Sequence, residues 1–497
     1  MLVDLLTNGK ASHPAISVVD GPSINYGELA RQVDDLSKTL GKLGLGKSDR
    51  IAMALPNGLE VIALFLAASA AGTAAPLNPA YTRDEFRFYL EDTNARALIV
   101  PRNGAEEARA AATEDIIVIE TDIDEAGQVR LLANGATASR EARNVNDEIA
   151  LILHTSGTTS RPKRVPLSHA NLMTSARNVA ATYQLTPADV SLCVMPLFHV
   201  HGLVASTLAT FFSGGTVVVP PKFNPLSFWP TVRDKQATWY SAVPTIHQVL
   251  LSRSRGNRPD GAQQLRFIRS CSAALAPQMM AEMETVFGVP VLEAYGMTEA
   301  AHQMASNPLP PEARKGGSVG KGTEVAIAIL DKEGKELPTG ATGEVSIKGL
   351  NVFGGYEGNA EANAESFSNG WFRTGDQGHL DSEGYLTLSG RIKELINRGG
   401  EKISPREIDE VLVTHPAVAE AVCFGIPDRV YGEDVAAAVV LKSEATEKEL
   451  IAHCRSSLSD FKCPKKIYIV DAIPRTATGK VQRRNVAAAI LESENAN

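Results

Sequence analysis

The sequence contains little cysteine and no long hydrophobic run. It has five cysteines in 497 residues and no Cys-x-x-Cys pattern, so neither a zinc site nor a disulfide framework is indicated. These residues are Cys193, Cys271, Cys423, Cys454 and Cys463. The richest apolar stretch, residues 61–76, is rich in alanine and shorter than the ~20 residues that span a bilayer. We therefore expect a reducing environment and no membrane association.

Targeting signals and excess charge of one sign are also lacking. The N-terminal residues have neither the basic nor the apolar segment of a secretory signal, and the final Asn-Ala-Asn is not a peroxisomal address. The net charge is −8, with acidic and basic residues mixed along the chain, which argues against nucleic acid as a partner. We expect a cytoplasmic monomer or homodimer whose partners are small molecules.

Length and pattern predict an α/β fold with at least two domains. A single core rarely grows beyond ~250–300 residues, and this chain has 497. Strand-like runs alternate with helical stretches to about residue 320, which is typical of parallel βαβ units. Short β segments follow, and the α/β pattern returns after residue 390. We predict a large N-terminal domain of mixed sheets flanked by helices, with a small β-barrel-like part, at residues 1–390. Residues 391–497 are predicted to form a small α+β C-terminal domain.

A loop rich in hydroxyl groups follows the predicted strand at residues 148–153. Its sequence is His154-Thr-Ser-Gly-Thr-Thr-Ser-Arg-Pro-Lys163. Backbone N–H groups and hydroxyls in such a loop can surround phosphate oxygens, and the lysine adds positive charge. The loop does not match G-x-x-x-x-G-K-[ST], which excludes a common P-loop NTPase. Taken alone, these residues could equally form a polar surface loop.

Four further motifs change that balance. They are Tyr295-Gly-Met-Thr-Glu299, Trp371-Phe-Arg-Thr-Gly-Asp376, Gly390-Arg-Ile-Lys393 and Pro474-Arg-Thr-Ala-Thr-Gly-Lys480. In this order, from about Tyr26 to Gln482, the chain resembles the adenylate-forming superfamily of acyl-CoA synthetases, adenylation domains and firefly luciferase. The resemblance implies a ligase that uses ATP and Mg²⁺ to join a small carboxylic acid to CoA through an acyl-adenylate.

The resemblance also implies which residues bind the nucleotide. The loop residues expected on the β- and γ-phosphates are Thr155, Ser156, Gly157, Thr158, Thr159 and Lys163. Thr298 is expected on the α-phosphate, and Glu299 is the expected Mg²⁺ ligand, because a carboxylate is a hard oxygen donor. The residues expected around the adenine are Ser272, Ala273, Ala274, Glu293 and Tyr295. Asp376 and Arg391 are expected on the ribose, and Lys402 on a phosphate.

Other residues are implied to act in the two steps of the reaction. Lys480 resembles the lysine that polarises the carboxylate and α-phosphate during adenylation. Lys393 resembles the hinge about which a mobile C-terminal domain turns between steps. Gly399 and Gly400 resemble the segment that admits the pantetheine arm of CoA.

Histidine and serine in the pocket segments suggest a polar acid. The segments are Pro196-Leu-Phe-His-Val-His-Gly202, Arg269-Ser-Cys-Ser272 and Glu299-Ala-Ala-His302. They resemble the oxalate–CoA ligase branch, which implies that Ser272 and His302 hold the distal carboxylate of oxalate, with His199 and Gly296 close by. For each histidine, His201 above all, the alternative is a buried side chain with a structural role.

Other interpretations of the sequence remain open. The chain could be a CoA ligase for malonate or 4-coumarate, a module that loads a carrier protein, or a binding protein without activity. A binding protein without activity is expected to have lost Glu299, Asp376 or Lys480, and all three are present. Arg164 follows the loop lysine where the family has glycine. If that position needs a positive φ, the arginine is strained; alternatively, it adds a phosphate contact.

Overall fold

The alternating apolar runs fold into strands that helices connect and cover. The computed structural model describes residues 1–47, 49–132, 148–155, 162–476 and 481–495. The chain packs as two compact units. The first comprises Met1–Ala326 and Lys348–Ser366, and the second comprises Ile327–Ile347 and Phe367–Asn497. The predicted boundary at residue 390 stays a prediction, and the packing groups the intervening β segments with the C-terminal region.

The strands of the first unit come, with few exceptions, from short buried runs. In chain order they are β1 (Pro14–Val18), β2 (Ser23–Asn25), β3 (Arg50–Met53), β4 (Thr73–Pro76), β5 (Ala97–Pro101), β6 (Ile117–Ile123), β7 (Val129–Leu132), β8 (Ile149–Thr155), β9 (Lys163–Ser168), β10 (Val190–Leu192), β11 (Thr216–Val219), β12 (Trp239–Ala242), β13 (Phe267–Ser270), β14 (Val291–Met297), β15 (His302–Ser306) and β16 (Lys321–Gly322).

Two mixed sheets organise these strands. Within the described residues, one sheet has the order β16-β15-β14-β13-β12-β10-β11-β1-β2, and the other has the order β7-β6-β5-β3-β4-β8-β9. The central pairs β10–β12, β12–β13 and β13–β14 are parallel, and β14–β15 is antiparallel. Ligands of open α/β sheets bind beyond the carboxyl ends of parallel strands, so the segments that follow β13 and β14 are placed to form a site.

The helices begin at recognisable signals, and those before residue 367 belong to the first unit. The α-helices are α1 (Tyr26–Lys42), α2 (Leu59–Ala71), α3 (Arg83–Thr93), α4 (Glu106–Ala111), α5 (His169–Thr182), α6 (Ala209–Ser213), α7 (Phe228–Asp234), α8 (Pro244–Ser254), α9 (Pro277–Phe287), α10 (Ala360–Ser366), α11 (Pro405–Val413), α12 (Glu447–Ser457) and α13 (Arg483–Asn495). Asn25 and Glu28 form a reciprocal capping box at the start of α1. Helix α2 is apolar on nearly every side and is buried accordingly.

The second unit contains two smaller sheets. Its strands are β17 (Ala326–Leu330), β18 (Gly343–Lys348), β19 (Phe367–Ser368), β20 (Trp371–Leu380), β21 (Leu386–Arg391), β22 (Ile396–Arg398), β23 (Glu401–Ile403), β24 (Val418–Asp428), β25 (Gly432–Leu441) and β26 (Lys466–Ile469). Strands β17 to β21 form the half-barrel sheet. Strands β22 to β26 form the other sheet, against which α11 packs.

The predicted fold class is confirmed: the chain is an α/β protein with mixed N-terminal sheets, a half-barrel sheet and a small α+β C-terminal region. The strand predicted at residues 148–153, before the hydroxyl-rich loop, is β8. Within the part of the chain that the structure describes, no helix has the length and apolar content needed to cross a bilayer.

Candidate active site

The strands that frame the hydroxyl-rich loop bring two predicted phosphate contacts together. Thr155, the last residue of β8, pairs with Lys163, the first residue of β9. The Lys163 ammonium lies 4.3 Å from the centroid of the Tyr356 ring, within the range of a cation–π contact. The remaining predicted loop residues lie outside the described residues: Ser156, Gly157, Thr158 and Thr159.

The predicted magnesium ligand lies next to that same tyrosine. Thr298 and Glu299 belong to the 3-10 turn Thr298–Ala300 that follows β14. Glu299 is 5% exposed, and its Oε1 accepts a 2.7 Å hydrogen bond from the Tyr356 hydroxyl. Mg²⁺ in nucleotide sites is commonly held by one or two carboxylates together with phosphate oxygens. The oriented, nearly buried carboxylate of Glu299 fits that role.

Tyr356 is a residue that the sequence analysis missed. It links Lys163, through its ring, to Glu299, through its hydroxyl. The sequence holds only a weak signal for it, because a tyrosine after a glycine pair in a polar loop is common. The pairing depends on a contact between segments separated by 57 positions in the chain.

Arg164 is used to anchor the base of the loop. It lies in β9, paired with His154 of β8, and it is not among the described residues with positive φ, so the condition for backbone strain is not met. Its guanidinium forms ion pairs of 3.5 Å with Asp92 and with Glu357 and donates to the Asp92 carbonyl. The arginine therefore ties the hairpin to two neighbouring segments.

The predicted adenine-binding loop follows β13 and is held by Glu293. Ser272 has φ +73°, and Ala273 and Ala274 after it are exposed. The Glu293 carboxylate accepts a 3.0 Å hydrogen bond from the backbone N–H of Leu275, which fixes the end of this loop. Tyr295 lies two residues further along β14 and is buried. Contact of these residues with adenine stays a prediction.

A tight approach between β14 and β15 shapes the predicted acid pocket. A Cβ atom added to Gly296 would lie 2.1 Å from the His302 carbonyl oxygen, so only glycine fits there. His302 is buried and has φ +108°. Non-glycine residues in that conformation are strained and tend to occur at functional sites. The close packing of Gly296 thus fixes where the His302 imidazole lies.

The histidines of the pocket form a hydrogen-bonded set with serines. His201 Nδ1 lies 3.0 Å from Ser272 Oγ, and His201 Nε2 lies 2.6 Å from Ser241 Oγ. The His201 and His302 ring centroids are 5.2 Å apart. His199 is half-buried, and its Nδ1 accepts a 3.2 Å hydrogen bond from the His201 backbone N–H. His201, the least expected of the three, thus contacts predicted pocket residue Ser272 directly.

Arg269 in β13 completes this set and was not predicted as a site residue. Its side chain is 0% exposed, and its Nη2 lies 3.3 Å from His302 Nδ1. The signal was present in the sequence, because an arginine in an apolar strand must find polar partners if it is buried. Its partners could not be derived, because they come from other strands and from the end of α5.

The second unit contains the predicted ribose pair. Asp376 in β20 pairs with Arg391 in β21, and the Arg391 Nε lies 2.7 Å from the Asp376 Oδ1. The Asp376 backbone N–H donates to Thr374 Oγ1 at 3.1 Å. The Asp376 carboxylate is thus oriented by its neighbours, and Arg391 is exposed.

The remaining predicted residues of the second unit lie near a tight hairpin. Gly399 and Gly400 connect β22 to β23 with φ +60° and +99°, which is the two-residue turn that favours glycine at both positions. Lys402 pairs with Asn397 across that hairpin. Lys393 is exposed in the 3-10 turn Ile392–Glu394. Lys480 lies outside the described residues.

Comparison with protein families identifies the chain. The model of the AMP-binding enzyme family matches residues 7–357, and the model of the AMP-binding enzyme C-terminal domain matches residues 407–480. The chain therefore belongs to the AMP-binding, adenylate-forming enzyme family.

Curated relatives cover nearly the whole chain. A probable CoA ligase, CCL9, of Humulus lupulus is 48% identical, over 94% of this chain and 92% of the relative. An oxalate–CoA ligase of Arabidopsis thaliana is 47% identical, over 92% and 91%. An oxalate–CoA ligase of Saccharomyces cerevisiae is 46% identical, over 90% and 88%.

Solved structures share the fold over the same length. ATP-bound MatB from Rhodopseudomonas palustris superposes with a TM-score of 0.87 at 31% identity, over 98% of both chains. O-succinylbenzoate CoA synthetase (MenE) from Bacillus subtilis, in complex with ATP and a magnesium ion, superposes with a TM-score of 0.84 at 29% identity, over 98% of this chain and 99% of that one.

Proposed function

We propose that this chain is an ATP- and Mg²⁺-dependent acid–CoA ligase that converts oxalate to oxalyl-CoA, releasing AMP and pyrophosphate. The observation that carries the choice of acid is the pocket beyond β13 and β14, where Ser272 and His302 lie in a network built on the buried Arg269. An apolar acyl chain would gain nothing from such a network. Relatives named as oxalate–CoA ligases support the same choice.

The first half-reaction forms the acyl-adenylate. A carboxylate oxygen of the acid attacks the α-phosphorus of ATP, the bond to the bridging oxygen breaks, and pyrophosphate leaves. Thr155, Lys163 and Thr298 would hold the phosphates in line, and Lys480 would stabilise charge on the carboxylate and α-phosphate. Mg²⁺ bound through Glu299 would offset the charge of the phosphates. The Tyr356 hydroxyl orients the Glu299 carboxylate for that purpose.

The second half-reaction transfers the acyl group to CoA. The thiolate sulfur attacks the acyl carbon, the carbon–oxygen bond to phosphate breaks, and AMP leaves. Asp376 and Arg391 would bind the ribose, with Lys402 on a phosphate. A turn of residues 391–497 about Lys393 would withdraw Lys480 and bring Gly399 and Gly400 to the pantetheine arm. Such alternation needs backbone change at only a few residues.

Oxalate places two demands on the pocket. Its carboxylates are joined by a single bond, so the distal charge lies only a few ångströms from the α-phosphate. A buried charge without partners is strongly unfavourable, and the pocket must therefore supply donors at short range. The Ser272 hydroxyl and the His302 imidazole are the donors that the geometry offers.

An acid panel tests the proposal. Pyrophosphate release is measured with oxalate, malonate, acetate and 4-coumarate, with and without CoA. We expect kcat/KM for oxalate to exceed that for acetate and 4-coumarate by about 100-fold or more, because a monocarboxylic acid leaves the donors of the pocket without a matching group. It should also exceed that for malonate, whose distal carboxylate lies one carbon further from the reacting one. A preference for acetate or 4-coumarate would overturn the oxalate assignment. Turnover that does not consume CoA would favour a carrier-loading module.

A further inference from the structure

Arg269 carries a positive charge that the protein solvates with neutral groups. Its Nε donates to the Tyr183 hydroxyl at 2.8 Å, its Nη1 to Ser241 Oγ at 2.9 Å, and its Nη2 to Gln303 Oε1 at 3.0 Å. Among the described residues, no carboxylate forms an ion pair with it. The charge of a 0% exposed guanidinium is therefore balanced by dipoles alone.

A buried cation without a counter-ion is unfavourable in the protein by itself. An apolar residue in β13 would pack there at less cost. The arrangement becomes favourable when a ligand brings negative charge close to the arginine. Two series of hydrogen bonds lead from Arg269 to the predicted acid pocket, and we call them the first and the second route.

The first route sets the tautomer of His302. Arginine only donates hydrogen bonds, so His302 Nδ1, 3.3 Å from Arg269 Nη2, accepts one. The imidazole proton is then on Nε2. A second proton would place an imidazolium N–H against the guanidinium N–H groups. In this arrangement His302 acts as a neutral N–H donor, and the positive charge behind it belongs to Arg269.

The second route sets the hydroxyl of Ser272. Ser241 Oγ accepts from the cationic Arg269, which polarises the hydroxyl and makes it a better donor, and we assign its proton to His201 Nε2, 2.6 Å away. His201 then carries its proton on Nδ1 and donates to Ser272 Oγ at 3.0 Å. The Ser272 hydroxyl keeps its proton available for an anion. Each route therefore ends at a neutral hydrogen-bond donor, His302 or Ser272, that is connected to the charge of Arg269.

We propose that Arg269 is the positioning residue that makes the pocket selective for acids carrying a second negative charge. It orders the protons on Ser272 and His302 and supplies the charge that offsets the distal carboxylate. This inference rests on the proposed acid–CoA ligase function and names the residue that discriminates dianionic from monoanionic acids. We therefore expect loss of Arg269 to change the preference between dianionic and monoanionic acids more than it changes the overall activity.

The experiment compares oxalate with oxamate, an isostere whose distal group is an uncharged amide. Adenylation is followed by pyrophosphate release in the parent, Arg269→Gln, Ser241→Ala and Arg266→Gln. Arg266 is a matched control, because it precedes the same strand but lies half-exposed in an ion pair with Asp189. The measured quantity is the ratio of kcat/KM for oxalate to that for oxamate.

We expect Arg269→Gln to lower this ratio about 30-fold or more, chiefly through KM for oxalate, as for loss of a charged partner. Ser241→Ala, which cuts only the second route, should lower it about 5- to 10-fold. Arg266→Gln should leave the ratio within about 3-fold of the parent value. Equal losses for both acids in Arg269→Gln would overturn the proposal, since a purely structural role affects both alike.

Two controls separate the causes of failure. Thermal unfolding shows whether Arg269→Gln folds. If it does not, Ser241→Ala provides the test, and an unchanged ratio of kcat/KM values in that variant overturns the proposal. The parent ratio tests the oxalate assignment by itself. A parent that uses oxamate better than oxalate contradicts the proposed acid, whereas a change of ratio between parent and variants reports on Arg269.

Discussion

A carboxylate side chain that is nearly buried needs hydrogen-bond donors, and Glu299 has one in Tyr356. Its carboxylate accepts from the Tyr356 hydroxyl, and the ring of that tyrosine lies under the Lys163 ammonium. The three side chains come from β9, the turn after β14 and the segment before α10. Metal affinity at such a site also depends on residues that contact the metal-binding side chain and not the metal itself.

Tyr356→Phe tests that dependence. The variant keeps the ring beneath Lys163 and removes the hydroxyl that orients Glu299, so we expect the Mg²⁺ concentration for half-maximal adenylation to rise about 10-fold. Glu299→Gln should raise it further, because a neutral amide offsets less of the cation's charge. Pyrophosphate release against free Mg²⁺ measures both. Tyr26→Phe, which removes a buried hydroxyl bonded to the Gly215 carbonyl, is the control and should titrate like the parent.

His302→Ala tests the acid pocket at a single side chain. Loss of a buried donor to the distal carboxylate should cost about 2–4 kcal/mol, or about 30- to 1,000-fold in kcat/KM for oxalate. Acetate has no distal charge, so its kcat/KM should change much less. Steady-state adenylation with both acids measures the difference. A variant that loses oxalate and acetate turnover equally would show that His302 only shapes the strand.

At the scale of elements, the site depends on hairpins and strand ends that sequence predicts unevenly. The buried run at residues 148–153 was predicted to within two residues of the bounds of β8, because burial sets its pattern. Of the motif residues, Glu299 follows β14, and Asp376 lies within β20. Contacts between strands could not be predicted, because a residue's partners depend on sheet order. Arg269 and His302, 33 positions apart, meet only in the folded sheet.

The β8–β9 hairpin supplies a prediction on stability. Arg164→Gly would install the residue that the family prefers, yet it would remove the ion pairs to Asp92 and Glu357. Because these pairs are partly buried, we expect the melting temperature to fall by about 2–6 °C. Arg164→Lys, which keeps the positive charge but not the branched guanidinium, should have a melting temperature between those of the parent and Arg164→Gly. Thermal unfolding that shows a more stable glycine variant would mean that the arginine strains the hairpin.

At the scale of the molecule, the proposed function assigns the two half-reactions to different surfaces of the C-terminal region. The predicted adenylation residues of the first unit lie at or after the ends of β8, β13 and β14. The hairpin with Gly399 and Gly400 belongs to the second unit, and Lys480 lies later in the predicted C-terminal domain, outside the described residues. If the C-terminal region serves each step with a different surface, variants of the two surfaces must fail in different steps.

Paired variants test this division. Lys480→Ala should lower adenylation about 100-fold or more, as for loss of a preorganised charge, and spare thioester formation from preformed acyl-adenylate. Gly400→Leu should do the reverse, because its Cβ has open space around it but would obstruct an incoming pantetheine arm. Gly384→Leu, at another open position with positive φ, controls for backbone strain. Equal loss in both half-reactions for both variants would contradict the division.

The measurement that tests the central claim most directly is identification of the product. The chain is incubated with ATP, Mg²⁺, CoA and oxalate, and the thioester is analysed by mass spectrometry while AMP and pyrophosphate are quantified. We expect oxalyl-CoA, AMP and pyrophosphate in equal amounts, with formation dependent on oxalate and on CoA. Absence of oxalyl-CoA under conditions in which another acid yields its CoA thioester would contradict the account.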